Sequence, residues 1–88
     1  MEDWLVMAFD STQQALRAEM LMEYLELEFD LFPTPKSITA GCALSIQFPG
    51  QLLEQVAKMV DQEKVEIRGI YKPGSNGYEE LEVKEAGL

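Results

Sequence analysis

Histidine is absent from these 88 residues, which removes imidazole both as an acid–base group and as a metal ligand. Cysteine occurs once, at Cys42, so the chain cannot close an internal disulfide. It also lacks the C-x-x-C pair of dithiol redox chemistry and any thiolate set for zinc or an iron–sulfur cluster. Positive charge is scarce: 7 Lys and Arg stand against 16 Asp and Glu, for a net charge of −9. Such a chain repels phosphate backbones and has no cluster of bases to drive counterion release. Nucleic acid and anionic membranes are therefore poor partners, whereas a basic protein is compatible. No apolar run approaches the length of a membrane span. The opening Met1-Glu2-Asp3-Trp4 places acids where a secretory signal carries positive charge. With one unpaired cysteine, the expected location is the reducing cytoplasm.

What is present suits one small globular unit. Hydrophobic residues make up 47% and charged residues 26%, enough apolar material for one modest core. The expectation is a single domain over residues 1–88, with its core from about 3 to 72 and a turn plus acidic strand or tail from 73 to 88.

Trp4 to Phe9 is an unbroken apolar run, short enough for a strand buried on both faces. Asp10-Ser11-Thr12 then offers side-chain oxygens to the first amides of a helix predicted over Gln13 to Glu26. Ala15, Ala18, Leu21, Met22 and Leu25 form its core stripe, and Glu19, Glu23 and Glu26 gather on another side. Leu16, Met20 and Tyr24 make a second apolar line. It reads either as a broad margin of the core face or as a subunit or partner contact. Phe29 to Phe32 is a short strand, and Cys42 to Phe48 is another, in which Leu44, Ile46 and Phe48 alternate with wetter positions. Pro49-Gly50 breaks it. A second helix follows over about Gln51 to Glu63, then a strand over Val65 to Tyr71, then the turn cluster Pro73 to Gly77. Tyr78 to Leu88 reads as a short edge strand around Leu81 and Val83, or as a frayed tail. The order β-α-β-β-α-β fits an α+β, ferredoxin-like fold, an antiparallel sheet with two helices on one face.

That fold makes the first and third strands central neighbours and brings Cys42 to the end of the sheet where the first helix begins. The parity of Cys42 with Leu44, Ile46 and Phe48 aims the sulfur at the helix layer. The positive pole of a helix start favours thiolate over thiol, and Lys36 in the same loop adds a cation. Asp10 works against both. A thiol of pKa about 8.5 is a few per cent ionised at neutral pH, and a drop of about 1.5 units would ionise roughly half of it. The plainer alternative is that Cys42 is a small buried apolar residue. Pro33 and Pro35 stiffen the loop, and Gly41 permits close backbone approach beside the sulfur.

The run Met7 to Glu19, the loop Phe32-Pro33-Thr34-Pro35-Lys36 and the sequence Ser37-Ile38-Thr39-Ala40-Gly41-Cys42 resemble the small bacterial "putative Se/S carrier protein-like" family. The resemblance spans about Leu5 to Phe48. Two positions depart from the family pattern: Lys36 stands where arginine is commoner, and Gly41 precedes the cysteine instead of following it. The resemblance implies a carrier of sulfur or selenium, with Cys42 as carrier nucleophile, Lys36 as nearby positive charge, Gly41 as permissive backbone and Ser11 acting through the helix cap. It implies protein donors and acceptors, no bound cofactor or metal, and a carrier more than a classical enzyme. The alternative is a non-catalytic interaction module, or a small-ligand sensor at a dimer interface. An exposed Trp4–Val6 surface would favour a two-fold homodimer.

Overall fold

The computed structural model describes residues 4–38, 44–75 and 77–81. Within them the chain forms β1 (Trp4–Ala8), α1 (Thr12–Tyr24), β2 (Asp30–Pro33) and β3 (Leu44–Pro49). A 3₁₀ turn over Gly50–Leu52 leads into α2 (Leu53–Gln62), followed by β4 (Gly69–Gly74) and β5 (Gly77–Glu80). The sheet is antiparallel throughout, in the order β2-β3-β1-β4-β5.

The period-2 pattern decides which side of the sheet meets the helices. Leu5 lies opposite Phe48, and Met7 lies between Ile46 and Ile70. These residues and Phe9 form one core with Ala15, Ala18 and Met22 of α1 and Val56 and Met59 of α2. Both helices therefore cover the same face. A large apolar side chain buried this fully contributes about 1.5–3 kcal/mol.

The opposite face is not the open apolar patch on which a Trp4–Val6 dimer was expected. Val6 is 2% exposed, Ala8 is fully buried and Trp4 is half-buried, on a strand that lies in the middle of the sheet. Val6 is flanked by Gln47 and Tyr71, and Ala8 by Ser45 and Gly69. A Cβ at Gly69 would stand 3.2 Å from the Tyr71 ring and 2.9 Å from Glu80 Oε2, so the glycine leaves room for both side chains to close over this end.

Most boundaries shift by one or two residues from expectation, and the two ends of β4 shift further. Val65 begins no strand. Its amide donates to Val60 O at 3.1 Å, closing the end of α2, and ladder bonding resumes only where Arg68 N donates to Ala8 O. Pro73, expected in a turn, lies inside β4 opposite Tyr78, beyond the last residue of β4 that pairs with β1, so its missing amide costs that pairing nothing. The fifth strand adds one to the expected count. Gly77, at φ +119°, makes the hairpin that returns β5 along β4. Val83 lies outside the described residues.

Candidate functional site

β1, β2 and the antiparallel partner between them bring several sequence-predicted residues to one end of the sheet. β1 exits into Asp10 and Ser11. Ser11 is extended, at φ −140° and ψ 143°, and its hydroxyl accepts from Gln14 N at 3.2 Å. This is the predicted N-cap, and the first turn of α1 carries no acidic residue, so the positive pole of the helix dipole is not offset from within it.

β2 runs in the same direction as β1 and ends at the same end of the sheet. Beyond Pro33, Thr34 turns inward, and its hydroxyl lies 2.6 Å from that of the fully buried Ser45. That bond ties the proline loop to β3. Ile38 N donates to Pro35 O at 2.9 Å, which closes a turn and leaves Lys36 and Ser37 exposed at its tip. Leu44 opens β3 opposite Pro33 and packs against the core. Gly41 and Cys42 lie outside the described residues, and the described residues nearest them are Ile38 and Leu44. Ser11 and Lys36 share this end of the sheet, on either side of β3.

The residue that sequence reasoning missed is Arg68. Its backbone starts the β1–β4 ladder, and its Nη1 lies 2.7 Å from Asp10 Oδ1. The hydrogen bond to Asp10, and then Asp10's charge, hold the guanidinium above its ordinary pKa. Asp10 had counted against a thiolate at this end. Paired with Arg68, it no longer presents an uncompensated negative charge. Once Gly69 is set opposite Ala8, the residue before it must fall beside the end of β1, and that register was the signal available. Tyr71 extends the cluster. Partial burial first, and then the charge of Glu80, raise its pKa above 10.0, while Arg68 opposes the shift.

Among the described residues no three His, Cys, Asp or Glu side chains converge on a possible metal position, and no helix is long and apolar enough to cross a membrane.

Fold and site together define a small α+β protein whose proline loop after β2 lies at the end of the sheet where α1 begins. The chain belongs to the family described as "Putative Se/S carrier protein-like", which matches residues 4–72. That span includes Lys36, Gly41, Cys42 and Arg68 and ends before β5. No curated protein and no solved structure matches the chain.

Proposed function

We propose that this protein carries sulfur or selenium on Cys42, receiving the atom from a donor protein and passing it to an acceptor. The observation that carries this reading is the family match over residues 4–72, which contains the chain's one cysteine. The flanking geometry supports it. Leu44, two residues after Cys42, lies at the end of the sheet where α1 begins with Ser11 as its cap, and Arg68 there offsets Asp10. Lys36 supplies a further exposed cation, and Gly41 the permissive backbone next to the sulfur.

In the transfer, the Cys42 thiolate attacks the outer sulfur of a donor persulfide. A new S–S bond forms on Cys42, the donor's S–S bond breaks, and the donor sulfur leaves as thiolate. The second transfer repeats this chemistry with an acceptor thiolate and regenerates Cys42. No net oxidation occurs, so one cysteine suffices and no cofactor is called for. A cytoplasmic location belongs to the same reading, because a persulfide is reduced or exchanged by thiols and must be handed on. The ferredoxin-like assignment also belongs here. It is supported by the element order of the first six main elements and by the core order β2-β3-β1-β4, to which β5 is an addition at the edge.

Intact-mass measurement after exposure to a small-molecule persulfide donor tests the proposal. The expected product is one added sulfur, removed by reductant and absent from Cys42→Ser. Folded, reduced protein that takes up no sulfur and resists alkylation at Cys42 would overturn it. Arg68→Met should slow alkylation near neutral pH and shift its midpoint upward, because Asp10 would then act unopposed on the thiolate.

A further inference from the structure

The three apolar residues in the second line of α1 do not border the core. At 3.6 residues per turn, Met20 lies about 200° round the helix from Ala18, which is fully buried. Leu16, Met20 and Tyr24 are 47%, 71% and 84% exposed. They form a continuous ridge at i, i+4, i+8 along the side of α1 opposite the sheet. Leu25, 48% exposed, lies on another side of the helix, where it borders a separate cleft of about 240 Å³ with Leu27, Gln55, Lys58, Met59 and Gln62. This volume falls below the usual range for a small-molecule site of about 300–1,000 Å³ but admits a single large side chain.

We infer that this face of α1 docks a basic amphipathic helix of a partner protein. The charges around the ridge select that occupant. Glu19 and Glu23 lie together on one flank, and Glu26, Glu28 and Asp30 continue past its end, whereas Arg17 is the one base between residues 16 and 30. With carboxylates along one flank and past its end, and Arg17 alone on the other flank, the ridge is acidic on balance and complements a helix with an apolar stripe flanked by Lys or Arg. A second copy of the chain fits poorly. A two-fold axis between antiparallel helices sets each flank beside its own image, which brings Glu19 and Glu23 against Glu19 and Glu23. Each copy also carries a net charge of −9. The docking surface is independent of thiol chemistry, so it stands whether or not Cys42 carries sulfur.

The test is an NMR titration of the full chain with a synthetic Leu/Lys peptide patterned as an amphipathic helix, and with its Leu/Glu counterpart. The Leu/Lys peptide is expected to shift the resonances of Leu16, Met20 and Tyr24, and the Leu/Glu peptide to leave them in place. Met20→Glu is the decisive variant, because the position is exposed and the fold should survive. The substitution adds negative charge, so a purely electrostatic association would tighten, whereas docking on the ridge should weaken about tenfold. Glu19→Lys with Glu23→Lys should weaken it several-fold, and Cys42→Ser should not alter it. Tightening by Met20→Glu, or shifts centred on the sheet, would overturn the inference. So would sedimentation showing that the protein alone self-associates and that Met20→Glu abolishes this, since the face would then belong to a second copy.

Discussion

α1 and α2 lie side by side on one face of one sheet, and their outer surfaces are built differently. Every apolar residue of α2 is buried or half-buried, and Glu54, Gln55, Lys58 and Gln62 face solvent. α1 places Ala15, Ala18 and Met22 in the core and then presents Leu16, Met20 and Tyr24 to solvent on its far side. The helix ends repeat the contrast. Each closes on a non-glycine residue in the left-handed region, Glu26 at φ +58° and Lys64 at φ +55°. In each, the residue after it donates back to the last turn: Leu27 N to Met22 O and Val65 N to Val60 O. Lys64 places a cation at the negative pole of its helix, where it is favourable, while Glu26 places an anion there. α2 is optimised for holding the sheet. α1 departs from that optimum on its outer face and at its end, in both cases toward an acidic surface with apolar residues in it.

The comparison can be broken most sharply in the core. Met22→Ala and Met59→Ala should each cost about 2–4 kcal/mol, because both side chains are sealed and truncation leaves a cavity. Met20→Ala, two residues from Met22, should stay within about 0.5 kcal/mol of the parent. Urea denaturation of the three variants is the measurement. A loss of 2 kcal/mol at Met20 would mean the ridge supports the fold, and the contrast between the helices would fail.

A smaller effect sharpens it. Glu26→Gly should raise stability by about 1 kcal/mol, through relief of the left-handed strain and removal of the misplaced anion. Lys64→Gly relieves the same strain but forfeits a favourable charge, so its gain should be smaller by twice the contribution of one terminal charge, itself about 0.3–1 kcal/mol. Equal gains at the two ends would show that the dipole plays no part.

The smallest effect lies in the sheet and gives a reference common to both helices. Tyr71 is held above its ordinary pKa of 10.0, by partial burial first and Glu80 second. A group with a raised folded pKa keeps its proton more tightly in the folded chain. Its contribution is complete below pH of about 10 and is lost as the pH rises through the folded value. Tyr71→Phe should therefore flatten the alkaline decline in the denaturation midpoint and leave neutral pH unaffected. An unchanged decline in the variant would assign it to other groups.

Periodicity carried the sequence reading a long way. The order of elements, the Ser11 cap and the Ala15–Ala18–Met22 face follow from local spacing, which the chain obeys because one face of each element must be buried. The reading stumbled where tertiary contacts decide. Val65 looked like a strand residue because it is β-branched and apolar, but its amide is used to close α2. Leu16, Met20 and Tyr24 invited assignment to a wide core margin, since apolar residues on a helix usually mark its buried side. Arg68 was invisible without strand register, because its partner Asp10 is far away in sequence and near only across β1 and β4. At this end of the sheet, the Ser11 cap and the proline loop could be read from spelling alone. The ion pair that compensates the charge of Asp10 could not.

The sheet's layout also bears on how the chain avoids fibrils. Trp4 to Phe9, six consecutive apolar residues, is the segment most able to stack with copies of itself. It is locked between β3 and β4 as the middle strand. The two strands left at the rims, β2 and β5, are four residues each. One carries Asp30 and ends in Pro33, and the other carries Glu79 and Glu80. Short, charged rims template poorly, so edge-to-edge growth is blocked at both sides of the molecule. The hairpin that adds β5 lies beyond the family's matched span and supplies one of those two guards. A chain cut after Lys72 would lose it and present β4 as a bare rim, one strand away from the segment that most needs cover.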